Sequence, residues 1–470
     1  MKGGDGVGNV VVSPDLLVVK AGGSVLDSDR GYRKVASMIA RFLREGKKVV
    51  LVVSAMKGVT DTLLSAYEKA DPSFIGKVVE SYEEVRSRLG LHDSSFGIGV
   101  DALLRDLVNT FNAFLILKLR DGRVRDLILS FGEKVSAYIM AGALENEGVG
   151  SIPLYGRGAG IVTDQRFSEA SPLPSACEHV RERLGRVLSK GVTPVVAGFI
   201  GETSEGLTTT MGRGGSDFTA TFISKCLGAV EARLITDVPG IMTGDPRIFR
   251  DARTIPVLSY DEAIELAHLG GKKFHPRTFE PVRETPIVTR VLELGSERGT
   301  AIVKSWRQPP LKAVAVVRDL ELVMVRGAGM VGRRGTAARI MQVASEAGVN
   351  IIAISQPVSE TSINLVVKKG SGKLLEKGLQ RIVEEQVIRE YEVINDAEAV
   401  SLIGCGLRRP EIIGETLGML KGHSIYMLAK GPMEVSLSVV APSSEAEEIA
   451  REFHSIVLEN TKSQNAEGMI

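Results

Sequence analysis

Two glycine-rich segments carry the residue types best suited to phosphate chemistry. Residues 20–24 (KAGGS) begin with a lysine and contain a glycine pair, and residues 211–217 (MGRGGSD) place Arg213 between glycines. Glycines leave backbone N–H groups free to surround phosphate oxygens, while a lysine neutralises their charge. A glycine pair alone is more often a tight turn, and Ser216 or Asp217 could serve only as a helix N-cap. Neither alternative explains the arginine, which could bind a carboxylate through two hydrogen bonds.

Two further segments offer groups for a nucleotide. Residues 235–247 (ITDVPGIMTGDPR) place Thr236 and Asp237 after a predicted strand and Arg247 in the loop that follows, and residues 270–276 (GGKKFHP) place Lys272 on a glycine turn. The Asp-Pro-Arg triplet is equally compatible with ordinary turn chemistry. His275, which precedes a proline, is more typical of a structural role than of acid–base catalysis.

Two other segments could bind the acceptor of a phosphoryl group. Residues 54–61 (SAMKGVTD) follow a predicted strand, and residues 130–133 (SFGE) place Glu133 at the start of a predicted helix. Glu133 could simply favour the helix dipole. An acceptor that carries an ammonium group, however, needs a carboxylate such as Glu133 or Asp217.

Alternating strands and helices must position these segments. Residues 16–20 and 48–54 are continuous apolar runs, typical of strands buried on both faces, with a predicted helix at 33–44 between them. The same alternation recurs at 193–198, 217–227 and 232–236. It predicts an α/β domain in which helices sandwich a mainly parallel sheet, whose strand ends collect ligands. Residues 71–119 interrupt the alternation and are predicted to form a helical insertion.

The C-terminal third resembles itself. Paired prolines at 306–310 (WRQPP) indicate a linker, and beyond it 325–330 (VRGAGM) is echoed by 403–407 (IGCGL), while 362–367 (SINLVV) is echoed by 435–440 (VSLSVV). Two copies are too few for a solenoid. The pattern predicts two small α/β units packed on each other.

Composition limits the partners and the compartment. The 470 residues carry a net charge of +1 with no basic patch, which argues against nucleic acid and anionic membranes as main partners. The longest apolar runs are too short to span a bilayer, and the first fourteen residues lack the features of a signal peptide, so we expect a cytoplasmic protein. The three cysteines, Cys177, Cys226 and Cys405, are far apart in sequence and are predicted to be buried and not disulfide-bonded.

In their order along the chain, these segments resemble the aspartate kinase family of the amino acid kinase superfamily. Residues 198–220 (GFIGETSEGLTTTMGRGGSDFTA), 235–247 and 270–276 carry the likeness, and the C-terminal copies resemble that family's paired ACT domains. The resemblance implies transfer of a phosphoryl group from ATP to L-aspartate, giving 4-phospho-L-aspartate on the way to lysine, threonine and methionine. It also implies Mg²⁺ held mainly through ATP phosphates, with no metal site formed by the chain.

The resemblance assigns roles residue by residue. Catalysis is assigned to Lys20, Asp217 and Lys272. The aspartate site is assigned to Thr60, Glu133, Phe199, Arg213, Gly214, Ser216 and Asp217. The ATP site is assigned to Lys20, Gly22, Gly23, Ser24, Thr236, Asp237, Met242, Arg247 and Lys272. A general base is not required, because the acceptor carboxylate is already ionised at pH 7.

The resemblance also implies an organisation and a regulation. We expect an N-terminal tail (1–14), a catalytic domain (15–306), a linker (307–311), a first ACT unit (312–395, completed by 441–460), a second ACT unit (396–440) and a tail (461–470). An amino-acid effector, lysine or threonine, is expected to bind the first ACT unit, and the ACT units are expected to form a homodimer or a higher homo-oligomer. The effector residues would be Gly329, Met330, Asn350, Ile351, Gln356, Ser359 and Glu360.

Two alternatives remain open from the sequence. One is a related kinase that acts on glutamate, acetylglutamate or a nucleotide, although such relatives typically lack paired ACT units. The other is an amino-acid sensor without catalytic activity, which would not need Lys20, Arg213 and Asp237 together. Two positions depart from the family pattern, because Ala21 stands where phenylalanine is usual and Met242 where an aromatic residue is frequent.

Overall fold

The computed structural model describes residues 12–270, 274–327 and 334–467. The chain divides into two compact units. Within the described residues, the first unit takes 12–241, 254–264 and 274–306, and the second takes 242–253, 265–270 and the chain from 307 onward.

An eight-stranded sheet forms the centre of the first unit. Its strand order is β3-β4-β2-β1-β7-β9-β10-β8. The strands are β1 (Ser13–Ala21), β2 (Lys48–Val53), β3 (Ser151–Leu154), β4 (Thr193–Ala197), β7 (Ala229–Thr236), β8 (Val257–Ser259), β9 (Val288–Glu293) and β10 (Gly299–Val303). A separate hairpin joins β5 (Ile200–Glu202) to β6 (Thr208–Thr210).

The helices of the chain up to residue 268 surround this sheet. They are α1 (Asp29–Arg44), α2 (Val59–Lys69), α3 (Ser73–Leu89), α4 (Ser95–Leu117), α5 (Gly122–Glu145), α6 (Ala176–Leu188), α7 (Gly215–Leu227) and α8 (Tyr260–His268). Helices α3 and α4 lie within the stretch 71–119, where the sequence predicted a helical insertion.

Strand β1 lies in the middle of the sheet and carries the first glycine segment at its carboxyl end. It pairs in parallel with β2 on one side and β7 on the other, and Val18 and Val19 have no exposed surface. Only β10 and β8 run against the direction of the other strands. The predicted α/β class with a mainly parallel sheet is therefore confirmed, because continuous apolar runs suit strands covered on both faces.

Helix α5 is the core helix of this unit. Among the described residues it is the one helix long and apolar enough to cross a bilayer, yet 89% of that stretch is buried within the protein. Such burial is typical of a helix that packs inside a globular core. Helix α5 also carries Glu133, so a rigid, fully packed element supports that side chain.

The prediction that no cysteine forms a disulfide is wrong. Cys177 of α6 and Cys226 of α7 are disulfide-bonded, with their Cα atoms 4.9 Å apart. Local sequence pattern does not encode this pairing, because 49 residues separate the two cysteines and the packing of α6 against α7 brings them together. The bond closes a loop that contains the glycine segment at 211–217.

Removing this disulfide should lower the stability of the first unit. A closed loop of 49 residues restricts the unfolded chain, so Cys177→Ser should lower the free energy of unfolding by about 2–4 kcal/mol. Urea unfolding, followed with and without a thiol reductant, measures the effect. Cys405→Ser, which changes a cysteine outside the disulfide, is the matched control. Equal stability of the Cys177→Ser protein and the oxidised parent would contradict the prediction.

A six-stranded antiparallel sheet forms the second unit. Its order is β12-β13-β11-β14-β16-β15. The strands are β11 (Ala313–Arg326), β12 (Ile351–Ser355), β13 (Ser362–Lys368), β14 (Glu390–Ile403), β15 (Met427–Lys430) and β16 (Ser436–Ala441). The helices are α9 (Thr336–Glu346), α10 (Ser371–Glu384), α11 (Pro410–Met419) and α12 (Ser443–Glu467).

Both halves of this sheet share the two long strands β11 and β14, which pair from Ala313–Ile403 to Arg326–Glu390. One core packs α9 and α10 against the later part of β11 and β13. The other packs α12 against β16, the start of β11 and the end of β14. The expected completion of the first ACT unit by 441–460 is therefore not what the packing shows, because β16 and α12 join the second half of the sheet.

Residues 242–253 belong to the second unit, although they lie between β7 and β8 in sequence. The Phe249 ring stacks on His454 of α12 at 4.3 Å, and Thr243 Oγ1 lies 2.9 Å from His454 Nε2 in a hydrogen bond. The backbone N–H of Val314 donates to the Thr243 carbonyl at 2.8 Å. This segment is therefore packed into the core formed by α12.

Candidate active site

A cavity of about 200 Å³ opens where β1 and β7 end. Ligands gather at the carboxyl ends of parallel strands, so its position fits a binding site. The lining residues are Lys20, Gly22, Gly23, Ser24, Asp217, Leu234, Ile235, Thr236 and Phe274. Five of the residues assigned to ATP from the sequence thus share one cavity, together with Asp217.

Lys20 and Asp217 form an ion pair in this cavity. Lys20 Nζ lies 2.6 Å from Asp217 Oδ1, and the side chains are only 12% and 11% exposed. Lys20 is the penultimate residue of β1, and Asp217 lies in the first turn of α7. The Lys20 ammonium group is therefore held at the ends of the strands, and the Asp217 carboxylate fixes its orientation.

The glycine pair allows the chain to turn tightly beneath this cation. The Gly22 N–H donates to the Ile235 carbonyl at 3.3 Å, which joins the turn to β7. A Cβ at Gly22 would lie 3.0 Å from Lys20 Nζ, and one at Gly23 would lie 2.9 Å from the Ala55 carbonyl oxygen. A side chain at either position would displace the lysine or the segment after β2.

The start of α7 lies against Phe199, and both Phe199 and Gly214 were predicted to bind aspartate. Gly214 precedes the helix with a φ of 71°, and a Cβ on Gly215 would collide with the Phe199 ring at 2.7 Å. Phe199 has a positive φ of 66°, which is strained for an aromatic residue, and two hydrogen bonds hold it there. Its N–H donates to Thr219 Oγ1 at 3.1 Å, and its carbonyl accepts from the Met211 N–H at 3.0 Å.

Arg213 is presented to solvent by the glycine loop before α7. Its side chain is exposed, and within the described parts of the chain it makes no hydrogen bond or ion pair. An arginine without an internal partner can offer its planar fork to a carboxylate ligand. The N-terminus of α7 adds a partial positive charge nearby.

Glu133 is buried, with one oxygen left for a ligand. Its side chain lies on α5, and Oε2 has no hydrogen-bond partner. Burial raises the pKa of Glu133 to about 8, opposed by hydrogen bonds from the Ala55 backbone and the Thr60 side chain. The two predicted acceptor segments, 54–61 and 130–133, are thus in contact. Because Ala55 also lies against Gly23, the two segments adjoin the cavity that Lys20 and Asp217 line.

Three residues assigned to ATP lie outside this cavity. Asp237 lies beside it, where the Thr236 hydroxyl donates to Asp237 Oδ1 at 3.1 Å. Met242 and Arg247 fall in the 242–253 segment of the second unit, and Arg247 forms an ion pair with Asp245. The predicted catalytic residue Lys272 lies outside the described residues.

Among the described residues, those predicted to bind an effector lie at the two opposite ends of β12. Asn350 precedes β12 and Gln356 follows it, and six residues of extended chain span about 20 Å. Ile351 begins β12 and is half-buried, whereas Ser359 and Glu360 are exposed in the next loop, where the Ser359 and Thr361 hydroxyls are hydrogen-bonded. Gly329 and Met330 lie outside the described residues.

Sequence reasoning missed Phe274 and the β7 residues Leu234 and Ile235 in the cavity wall. The aromatic residue directly after the GGKK turn was a usable signal for Phe274. The β7 residues gave none, since they read as ordinary buried strand positions. No group of three His, Cys, Asp or Glu side chains suited to a metal occurs in the part of the chain that the structure covers.

Known proteins are similar to this chain in both sequence and fold. Residues 15–293 match the amino acid kinase family and residues 323–382 match an ACT domain. Arabidopsis thaliana aspartokinase 1, chloroplastic, is 31% identical over 94% of this chain and 80% of its own length. The aspartokinase of Thermus thermophilus is 30% identical over 93% of this chain and 98% of its own length.

Solved structures of E. coli aspartokinase III extend this comparison. Its complex with lysine and aspartate superposes with a TM-score of 0.79 at 26% identity, covering 94% of this chain and 99% of that one. Its complex with aspartate and ADP gives 0.76 at 25% identity, with the same coverage. The fold and the site thus define a kinase of the amino acid kinase family with ACT regulatory domains. Within that family, the chain belongs to the aspartokinases.

Proposed function

We propose that this chain transfers the γ-phosphoryl group of ATP to the side-chain carboxylate of L-aspartate, giving 4-phospho-L-aspartate. The observation that carries the proposal is the Lys20–Asp217 ion pair beside the Gly22–Gly23 turn, because it places a directed cation in the cavity that this turn lines. The E. coli relative, solved with aspartate and ADP, binds the ligands that this chemistry requires.

Charge neutralisation and positioning account for the catalysis. The Gly22, Gly23 and Ser24 turn would hold phosphate oxygens, and Lys20 would stabilise the charge on the transferred group. Asp217 would act by directing Lys20. A general base is unnecessary, since the acceptor carboxylate is ionised at neutral pH. The reaction therefore depends on aligning the acceptor carboxylate with the γ-phosphate of ATP, and it requires no proton transfer from the carboxylate.

Recognition of aspartate would use its two backbone groups. Arg213 would bind the α-carboxylate through its guanidinium fork, and Glu133 Oε2 would accept a hydrogen bond from the α-ammonium group. Thr60, Phe199, Gly214 and Ser216 would complete the pocket. The substrate side chain would then be directed toward Lys20.

Mg²⁺ would be held by ATP phosphates and would neutralise part of their charge. The donor set fits this arrangement, because Asp237, next to the cavity residue Thr236, is a carboxylate that would accept a hydrogen bond from a water ligand of such an ion. Lys272 and Arg247 are proposed to add charge at the nucleotide.

Regulation and assembly are proposed from the second unit. Lysine or threonine would bind at the edge strand β12, and E. coli aspartokinase III has been solved with lysine. Ile352 and Ile354 of β12 are 41% and 51% exposed, which favours a homodimer or higher homo-oligomer formed through this edge. Effector residues at the two ends of β12 would then be completed by the second chain. We place the enzyme in the cytoplasm, at the first step toward lysine, threonine and methionine.

Trapping of the acyl phosphate with hydroxylamine tests the function. The protein is incubated with ATP and Mg²⁺ and, in parallel, with aspartate, glutamate or acetylglutamate. A further incubation with uridine monophosphate, which forms no acyl phosphate, is followed by the release of ADP. We expect product with aspartate alone, and a lower rate when lysine or threonine is added. Aspartate binding without product would instead identify a sensor. Product with another acceptor would identify a different kinase of the family.

Activity should depend on pH through Glu133. The pKa of this buried carboxyl is about 8, and only its ionised form offers a negative charge to pair with the substrate ammonium group. Between pH 6 and 7, kcat/KM for aspartate should therefore rise by about tenfold and then level off above pH 8. Initial rates at low aspartate concentration measure this profile.

Two variants assign the profile to its group. Glu133→Gln should weaken aspartate binding and abolish the rise with pH. Lys134→Met should keep the rise, although burial lowers the pKa of Lys134 to about 8 as well. A rise that survives in Glu133→Gln and disappears in Lys134→Met would assign the titration to the lysine and overturn the role of Glu133.

A further inference from the structure

Asp126 is a buried carboxylate for which neither phosphoryl transfer nor aspartate recognition has a use. It lies on α5 with no exposed surface, and its two oxygens accept four hydrogen bonds from Ser168 and Thr210 and a longer one, at 3.5 Å, from the Arg125 guanidinium. Thr210 donates its N–H and its hydroxyl, both at 2.8 Å. Ser168 donates its N–H at 2.7 Å and its hydroxyl at 3.2 Å. A carboxylate so fully satisfied is a strong and directional anchor.

Thr210 is the residue at which this anchor meets the substrate loop. It ends β6 and directly precedes residues 211–214, which carry Arg213. Its carbonyl accepts from the Ala170 N–H at 2.9 Å, so every polar group of Thr210 is engaged. The chain therefore enters the Arg213 loop from a fixed point.

Ser168 fixes the same loop from its side. It has a left-handed φ of 74°, and its carbonyl oxygen would lie 3.2 Å from a Cβ at Gly212. On a further side, the Arg277 guanidinium donates to the Met211 carbonyl at 3.3 Å. Asp126 of α5 thus binds both Ser168 and Thr210, the two residues that lie on either side of the Arg213 loop.

The same helix carries Glu133, seven residues further along. Seven residues are close to two turns, so Asp126 and Glu133 lie on the same face of α5, about 10 Å apart along the axis. Glu133 and Arg213 are the groups proposed to bind the ammonium and the carboxylate of the substrate. One rigid helix therefore supports one of these groups directly and the other through Asp126.

We propose that Asp126 is a positioning residue that sets the spacing between Glu133 and Arg213, and thereby the affinity for aspartate. This inference rests on the proposed function. A spacing fixed by a packed helix suits an α-amino acid, whose ammonium and carboxylate groups are separated by a single carbon. Loss of the anchor would let the Arg213 loop move away from α5 while the Lys20 cavity stays intact.

Neighbouring threonines of β6 provide a matched test. Thr210→Val removes the hydroxyl that Asp126 binds. Thr209→Val removes an equally buried hydroxyl, which instead bonds Thr163 at 2.7 Å. Thr210→Val should raise KM for aspartate by about 3- to 10-fold, with KM for ATP unchanged. Thr209→Val should leave both constants unchanged, and Thr210→Ser should restore the parental KM because it restores the hydroxyl.

Asp126→Asn should have the larger effect. It replaces one carboxylate oxygen by an NH₂ group, which would face the N–H and hydroxyl donors of Ser168 and Thr210. We expect KM for aspartate to rise by about 10- to 100-fold, with KM for ATP within twofold of the parent. If Asp126→Asn does not fold, the threonine pair decides the question. Equal KM for aspartate in Thr209→Val and Thr210→Val would overturn the inference, as would a fall in kcat that tracks stability at constant KM.

The parent protein separates the two levels of the proposal. No aspartyl phosphate from the unaltered chain would overturn the proposed function, and the role of Asp126 in that reaction with it. Product from the parent together with an unchanged KM in Thr210→Val would overturn only the role of Asp126.

Discussion

Replacing Lys20 with alanine is expected to lower kcat by about 100- to 1000-fold, because a preorganised charge at the transferred phosphoryl group is lost. The ion pair with Asp217 already directs the ammonium group into the cavity, so the Lys20 side chain needs little reorientation to stabilise the transition state. KM for aspartate should change much less, because the proposed partners of the substrate α-ammonium and α-carboxylate groups are Glu133 and Arg213. Steady-state kinetics with both substrates varied would measure this separation.

Two further variants distinguish catalysis from folding. Lys20→Ala removes the cation with which the buried Asp217 pairs, and the loss of this partner destabilises the protein. Adding Asp217→Asn should restore stability without restoring kcat. Lys48→Ala changes an exposed lysine at the start of the neighbouring strand β2 and should leave kcat unchanged. Full activity in Lys20→Ala would remove this lysine from the mechanism.

The second large effect is expected at Arg213. Arg213→Met should raise KM for aspartate by about 100-fold, because a charge-assisted, two-point hydrogen bond to the α-carboxylate is lost. Arg213→Lys keeps the charge without the fork and should recover about tenfold of that loss. The exposed side chain makes no hydrogen bond or ion pair within the described chain, so neither change should lower stability.

Arg186→Met on α6 is the control for Arg213. It also removes an exposed arginine, one that pairs only with Glu182 on the helix surface. Its KM for aspartate should equal that of the parent. If Arg213→Met raises KM for ATP instead of KM for aspartate, Arg213 binds the nucleotide and the assignment of the two pockets must be exchanged.

Local pattern predicted the first unit well. The run that became β1 is apolar along its whole length because helices cover both faces, and the glycine turn after it follows directly from its sequence. Lys20, Gly22, Gly23 and Ser24 were predicted together because they are adjacent in the chain. Asp217 lies with them in the cavity, although it is far from Ser24 in sequence, because the start of α7 adjoins the end of β1.

What failed depended on contacts between distant segments. The disulfide requires α6 to lie beside α7, which no local pattern encodes. The division of the ACT region depends on strand length, because β11 and β14 each run through both halves. Asp126 was overlooked because an aspartate near a helix start reads as a capping or dipole residue. Its donors, Ser168 and Thr210, lie 42 and 84 residues away.

The packing of residues 242–253 limits how the C-terminal third can be removed. A catalytic fragment ending at Trp306 would retain Phe249 but lose His454, on which its ring stacks. Thr243 would lose its hydrogen bond to the same histidine, and the segment would expose its apolar side chains to water. Such a fragment is expected to aggregate. A variant that no longer responds to the proposed amino-acid effector is therefore better sought by single substitutions than by truncation.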